Sequence, residues 1–509
     1  MSARRARLRF HDMPSSYFRS SRSALGLLLL CFAPQACGYD STEPTLHPAF
    51  DLRVAATSVS VPRGGTANVS LRATRRGGLT SAIAYSVIGA PGGLTSSIEA
   101  TNVVDSLTLT IVAGASVAAG TYPLVITAAA IGADGQQAPL AVVVTVADTQ
   151  VPSINFVVTG GHTCALTLAG AAYCWGFNGG GQLGNNDSSV VDPTPVAVVG
   201  GLAFQILSVS KINQATCGVA VDGDAYCWGD NDQGQLGDGT RTRRLIPTRV
   251  SSGVKFKSVA LGNGHACALA VTGTAYCWGF SPNGGFGDGT IGERLTPQES
   301  ALGLTFESIV AGGDFTCGLT PEGDAFCWGL GFSGQLGDGT ATSSLSPRKV
   351  SGGLAFKTLA AADKTVCGLT VTGGAFCWGD NSFGTIGDGT SPTDGGAGRR
   401  VTPAAVTGGL TFLSLSAGHS TVCGVTDDGS GYCWGYNASG GVGDGTDTNR
   451  SSPTRIVGDL TFQRVSAGVG MTCGVTVANA VYCWGDNNNG DLGDGTTTSR
   501  FTPAAVRWK

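Results

Sequence analysis

The sequence predicts an all-β protein: a seven-bladed β-propeller with an N-terminal immunoglobulin-like β-sandwich. A motif of Cys, nine residues, then Cys-Trp-Gly occurs seven times, first from Cys164 to Cys174-Trp175-Gly176 and then ending at Trp228, Trp278, Trp328, Trp378, Trp434 and Trp484. Four of the six intervals between these tryptophans are 50 residues, and the others are 53 and 56. Such a period marks stacked copies of one supersecondary unit. Each unit reads as four short strands, the content of one propeller blade. The 80 glycines show no collagen period and stand beside abundant Val, Leu, Ala and aromatic residues. That is the composition of a turn-rich β protein.

A chain of 509 residues exceeds one ordinary core, so several modules are expected. Only 13% of residues are charged, the net charge is -4, and no polybasic block occurs. These values argue against a nucleic-acid partner.

The N-terminus reads as an export signal over residues 1–38. Arg19 and Arg22 precede an apolar run from Ala24 to Ala33. This run is too short to span a bilayer and is sized for the apolar region of a signal peptide. Met13 offers an alternative start. Gln35-Ala36-Cys37-Gly38 resembles a bacterial lipoprotein signal with Cys37 as the lipidated residue. Pro34 stands where that family usually has Leu, and ordinary cleavage near Ala33 or Ala36 is the alternative. Cys31 and Cys37 fall in this leader; the other 14 of the 16 cysteines form seven identical pairs. In an exported chain such a regular set reads as disulfides.

Residues 39–47 are read as a tether. From 48 to 148 short alternating runs appear, among them Ser58–Val61, Ala67–Leu71, Ile83–Val87, Leu107–Ile111, Leu124–Ile126 and Val142–Val146. Turn signals such as Pro62-Arg63-Gly64-Gly65 and Pro91-Gly92-Gly93 separate them. Six or seven such strands fit an immunoglobulin-like sandwich. Val61-Pro62-Arg63-Gly64-Gly65 and Gly120-Thr121-Tyr122 resemble bacterial immunoglobulin-like domains, without a Cys or Trp core, and a spacer role is expected. Residues 149–152 are read as the linker and 153–509 as the propeller.

The unit around Cys217 shows the logic of one repeat. Cys217–Val221 and Asp224–Trp228 read as strands joined by a tight turn at Val221-Asp222-Gly223. A loop centred on Asp222 sets Cys217 opposite Cys227, and directly opposed Cα atoms lie ~4.5 or ~5.5 Å apart. Both spacings suit a disulfide. The expected bridges are Cys164–Cys174, Cys217–Cys227, Cys267–Cys277, Cys317–Cys327, Cys367–Cys377, Cys423–Cys433 and Cys473–Cys483. The same register sets Gly218 against Tyr226. In every unit the residue after the first Cys is Gly or Ala and the residue before the second is Tyr or Phe, a steric match across the pair. Tyr226 and Trp228 share one face, expected to pack on the neighbouring blade. A fourth, edge strand is placed after Pro247 and its equivalents Pro195, Pro297, Pro347, Pro403, Pro453 and Pro503. The opening strand of the first unit, Ile154–Val158, is read as shortened and as sealing the ring beside the last unit. The Asp-rich turn after Trp228 lacks the Glu of a calcium loop, so no metal site is expected.

Trp-Gly-x-Asn-x-x-Gly-Gln-Leu-Gly-Asp-Gly-Thr followed by Pro-x-x-Val resembles the regulator of chromosome condensation repeat. It stands nearly whole at 228–250 and well at 328–350 and 484–506. The resemblance implies a seven-bladed β-propeller. The paired cysteines depart from the eukaryotic repeats and fit an exported version. The founding nuclear protein exchanges nucleotide on a small GTPase through a wedge inserted in one blade. Here the longest extra segment is six residues within Ser391–Arg400, so guanine nucleotide exchange is not expected. A secreted bacterial relative inhibits β-lactamases and a plant relative senses ultraviolet light, so the fold leaves the function open.

No catalytic constellation, cofactor motif or phosphate loop stands out. The five histidines are His11, His47, His162, His265 and His419, and structural roles are expected for them. One series is suggestive. Arg244, Arg294, Arg450 and Arg500 stand four residues after the Gly-Asp-Gly-Thr threonine, and Arg400 joins them once the six extra residues are removed. Ser344 and Val191 break the series. One reading places these arginines near the ring of Asp238, Asp288, Asp338, Asp388, Asp444 and Asp494, where Asp–Arg pairing ties turns together. The other makes a partner-binding rim for an anionic partner, with Arg241, Arg243, Arg244, Arg399 and Arg400 as its exposed parts.

The expected function is an exported, membrane-anchored, non-catalytic and monomeric scaffold of the bacterial cell envelope. It would bind an envelope protein or glycan, touch the membrane only through a lipid anchor and need no cofactor. An inhibitor of a secreted or periplasmic enzyme is the alternative. A lyase or hydrolase would need clustered carboxylates or histidines at the channel mouth, and the sequence does not show them.

Overall fold

The computed structural model describes residues 49–62, 65–100, 105–114, 117, 120–130, 139–147, 152–301, 303–392 and 398–508. The leader with Cys37 and the 39–47 tether lie outside these residues. The first eight strands are β1 (Ala49–Val54), β2 (Ser58–Pro62), β3 (Thr66–Arg76), β4 (Ile83–Ile88), β5 (Leu94–Ala100), β6 (Ser106–Ala113), β7 (Gly120–Ala130) and β8 (Leu140–Ala147). They make two four-stranded sheets, in the orders β1-β3-β6-β5 and β2-β8-β7-β4. Alternation places Val69, Leu71, Leu109 and Ile111 of one sheet with Leu124, Ile126, Val142 and Val144 of the other in a single core. Burying each such side chain contributes about 1.5–3 kcal/mol. Strands β1 and β5 add to the six runs legible in the sequence. β5, Leu94-Thr-Ser-Ser-Ile-Glu-Ala, is mostly polar because it is an edge strand.

From Ile154 to Ala505 follow seven antiparallel four-stranded sheets, each made of strands consecutive in sequence. In the second, the strands are Phe204–Val209, Ala215–Ala220, Ala225–Gly229 and Arg244–Arg249. The first strands of neighbouring sheets touch one another all the way round, so they surround the axis of a propeller. The fourth strand begins at Arg244, three residues before Pro247, and skips a register position between Cys227 and Gly229. That bulge accommodates a proline inside an edge strand, which is why the strand does not start at the proline.

Cys217 faces Cys227 and Gly218 faces Tyr226. Seven disulfides lie within the hairpins, Cys164–Cys174 through Cys473–Cys483, each with Cα atoms 4.1 Å apart. All seven motif tryptophans are fully buried. Each donates its indole N–H to a backbone carbonyl of the preceding blade: Trp228 to Gln182 at 2.8 Å, Trp278 to Gln235 at 2.9 Å, and so on to Trp484 and Gly441 at 3.0 Å. Gly237 shows what this needs. A Cβ there would stand 2.6 Å from Trp278 Nε1, and its φ of +65° also favours glycine.

The ring closes without exchanging a strand. The first blade's inner strand, Ile154–Thr159, pairs with its own neighbour and is as long as most of the others, so it is not shortened. It seals the ring by packing. Thr159 Oγ1 donates to Ser466 O at 2.9 Å, and Val469 N donates to Gly160 O at 3.1 Å. In the other blades a phenylalanine at or just before the start of the inner strand lies against that blade's tryptophan, as Phe204 does against Trp228 at 5.7 Å between centroids. In the first blade Trp508 takes that place, 5.4 Å from Tyr173 and 6.0 Å from Trp175. A side chain near the end of the chain thus completes the first core.

Candidate functional site

The loops between strands one and two, and between strands three and four, emerge on the same face. On this face the Gly-Asp-Gly-Thr turn builds itself. In the second blade the buried Asn231 accepts from Leu236 N at 3.0 Å and donates to Asp238, Thr240 O and Thr242 O. Asp238 Oδ1 accepts from the Thr240 backbone and hydroxyl, and Oδ2 takes Arg244 Nε at 2.7 Å. Burial works to raise the Asp238 carboxyl, but the Thr240 and Arg244 bonds outweigh it and hold it below the usual range.

The equivalent pairs are Arg294–Asp288, Arg400–Asp388, Arg450–Asp444 and Arg500–Asp494. In the blade where Ser344 breaks the series, Arg348 reaches Asp338 at 2.9 Å. These five arginines of the series are therefore engaged inside their own turns rather than free at a rim. Arg294 is the most enclosed, 9% exposed and stacked 4.2 Å over Phe286.

Arg241, Arg243 and Arg399 are exposed and reach between blades. Arg241 pairs with Glu293. Arg243 donates to Gly179 O and Arg399 to Phe332 O, both at 3.1 Å. Phe332 (65% exposed), Ser333, Asp380, Gly398 and Arg399 line a cavity of ≈ 360 Å³. Asp380 and Arg399 face each other across two strands, yet the guanidinium leans to the preceding blade.

The channel mouth on the same face carries a second constellation. The residue after a small residue in each strand-one-to-two loop lies here: Gly161, Lys211, Asn263, Gly313, Asp363, His419 and Val469. Their backbones form a belt. Gly161 donates to Ser210 O, Asn263 to Gly313 O, Gly313 to Asp363 O, Asp363 to His419 O and His419 to Gly468 O. The Ser210 hydroxyl bridges to Gly262 O at 3.2 Å.

The side chains at this position differ from blade to blade. Lys211 donates its ammonium to Ala361 O, 150 residues away and across the axis. Asn263 Nδ2 donates to Asp363 Oδ1 at 3.0 Å, and His419 Nε2 lies 3.9 Å from Asp363 Oδ2. Burial, then the Asp363 charge, push the Asp314 carboxyl up. Enclosure by the channel walls lowers the Lys211 ammonium to about 8 against the pull of Asp363, although solvent still reaches the residue. Asn263 Oδ1 is buried without a hydrogen-bond partner among the described residues. Repeat reasoning missed this cluster because the position does not repeat. The available signal was that variation itself, in the short loop leading to the first Cys, four residues before it in five units, three in the first and six in the second.

His162 and His265 are buried between blades and bond the Thr216 and Thr316 hydroxyls at 2.7 and 2.9 Å. His419, partly exposed, belongs to the channel mouth.

Residues 128–472 match the RCC1-like domain, and residues 479–508 match the regulator of chromosome condensation (RCC1) repeat. The chain belongs to the RCC1-like domain family. The ultraviolet-B receptor UVR8 of Arabidopsis thaliana is 39% identical over 108 residues, which are 20% of this chain and 24% of the receptor. The human E3 ubiquitin-protein ligase HERC2 is 30% identical over 110 residues, 21% of this chain and 2% of the ligase. The matched segments thus span a quarter or less of these relatives. Among solved structures, Prp20p of Saccharomyces cerevisiae superposes with a TM-score of 0.60 at 22% identity, covering 67% of this chain and 87% of that one. Human WBSCR16 gives 0.60 at 19% identity, covering 66% and 94%. At these identities the likeness is one of fold.

Proposed function

We propose that this RCC1-like protein is an exported, non-catalytic binding scaffold of the bacterial cell envelope. Cys37 carries a lipid, residues 48–148 form an immunoglobulin-like stalk, and the 153–509 propeller presents its loop face to an envelope protein or glycan. One observation carries the reading. On the loop face the residues common to the repeats are spent on turns, while residues that differ, such as Phe332 and Arg399, remain exposed. An exposed aromatic ring beside an exposed guanidinium is the composition of a protein-recognition patch. Seven hairpin disulfides support an oxidising compartment. The solved relative Prp20p is described by its binding to Gsp1p and histones, so a propeller of this family does serve as a protein-binding platform.

The test uses the full chain expressed in a diderm bacterium with labelled palmitate. Label in the envelope fraction that disappears in Cys37→Ser supports the anchor, and an unlabelled cytoplasmic protein with free thiols overturns it. In-cell crosslinking should then capture a partner with the parent chain and not with a Phe332→Ser/Arg399→Ser variant. Equal capture by both removes the loop face.

A further inference from the structure

We infer that the channel mouth is a recognition site for one basic group, an ammonium or guanidinium, and that Lys211 occupies the site until such a group enters. This rests on the scaffold reading insofar as a partner carries the group. The acceptors come first. Asp363 is buried, and its carboxylate holds one amide donor, Asn263, with the His419 ring at 3.9 Å. Asp314 follows Gly313, whose amide donates to Asp363 O, and burial and then the Asp363 charge raise the Asp314 carboxyl. Asn263 Oδ1, enclosed at the same place, accepts nothing from the described residues. A buried acceptor without a donor is destabilising, so this set is completed by a ligand that donates N–H bonds and brings positive charge.

The chain's own cation is the second and independent observation. Lys211 crosses the axis and seats its ammonium on Ala361 O, two residues from Asp363. It makes no ion pair within 4 Å of either carboxylate among the described residues. The mouth therefore accepts an ammonium but is not saturated by this one. Lys211 sits on a loop longer than its equivalents, running from Ser210 to Gln214, where Gln214 adopts a φ of 46° and Ile212 is 51% exposed. A non-glycine residue at positive φ stores strain, and such residues cluster at functional sites.

A tethered competitor is present at roughly millimolar effective concentration, so an external group binds the parent chain weakly and gains when the tether is removed. The experiment is calorimetry on the full chain at low salt. The probes are ethylamine, an end-capped Gly-Lys-Gly tripeptide, its Arg counterpart and its Nε-acetylated form. Lys211→Met should bind the Lys and Arg peptides at least about tenfold tighter than the parent chain, and adding Asp363→Asn should reverse most of that gain. The acetylated peptide should not bind. Asp314→Asn in the Lys211→Met background is the second variant should Asp363→Asn fail to fold, as read by near-ultraviolet circular dichroism. Binding of ethylamine as tight as the peptides assigns the site to small free amines, and binding of the peptides alone assigns it to a partner's side chain. Equal affinity of parent and Lys211→Met, no binding by Lys211→Met, or binding of the acetylated peptide overturns the inference. None of these outcomes depends on the crosslinking result, so the scaffold reading stands or falls separately.

Discussion

The indole N–H of Trp175 donates to the backbone carbonyl of Asp491 at 2.9 Å, joining the first blade to the last. The six other motif tryptophans make the same bond to Gln182, Gln235, Gly285, Gln335, Thr385 and Gly441. Only at the seam is the accepting residue an aspartate. Burial raises the Asp491 carboxyl from 3.8 to about 7, partly opposed by its bond from Phe177 N. A carboxyl raised in the folded state stabilises fully below the unfolded value and loses that contribution as pH rises through 7. Asp491→Asn should therefore raise stability by about 2–4 kcal/mol at pH 8 and by little below pH 4. Urea melts at both pH values check it, and an equal effect at both would exclude titration of this group.

Trp508 supplies the first blade's missing ring. Trp508→Ala should cost about 2–3 kcal/mol, less than a fully buried tryptophan because Trp508 is partly exposed. Hydrogen exchange should show the loss concentrated in the first and last blades. Uniform loss across the ring would mean that the seam is not the weak point.

His162 and His265 are neutral in the folded chain. The Thr216 hydroxyl donates to Gln182 O, so it accepts from His162 Nε2, leaving Nδ1 buried and unprotonated. Burial lowers the two imidazoles from 6.5 to about 3 and about 4. The unfolded chain thus binds more protons below pH 6.5, and stability falls as pH drops from 6.5 towards 4 and 3. His162→Gln/His265→Gln should flatten the melting temperature between pH 6.5 and 4. An unchanged slope would assign the acid loss to carboxylates.

Removing one bridge with Cys217→Ala/Cys227→Ala should cost about 2–3 kcal/mol, the chain-entropy value for so short a loop. Denaturation under non-reducing conditions measures it. Peptide mapping that found bridges between repeats would contradict the register of Cys217 on Cys227.

Two classes of arginine should separate. Arg294→Ala removes an enclosed cation from Asp288 and from the Phe286 ring, and should cost about 2–3 kcal/mol. Arg241→Ser/Arg243→Ser/Arg399→Ser removes exposed charges, which contribute only about 0–1 kcal/mol each. The triple variant should keep most of its stability and lose salt-sensitive binding to anionic envelope components. Retained binding would leave the channel mouth as the surface to test.

What the sequence determined by itself was local and repeated. Nine residues between Cys217 and Cys227 with a Gly at 223 dictate a hairpin and its register, and the small–large match of Gly218 and Tyr226 follows. Seven copies of that hairpin announce the propeller, because each copy must bury its tryptophan against another. Only the tertiary structure decided which residues meet across the axis. Lys211 and Ala361 are 150 residues apart, and Asn263 and Asp363 are 100 apart. Their meeting depends on the summed rotation of seven blades and on Trp508 closing the circle, neither of which any short window contains. The arginines show the same division. Their spacing from Asp238 and its equivalents was readable, but whether each guanidinium bonds its own turn or the next blade is settled by packing. The residues that repeat hold the ring together; the residues at the channel mouth do not repeat, and only their shared position around one axis makes them a site.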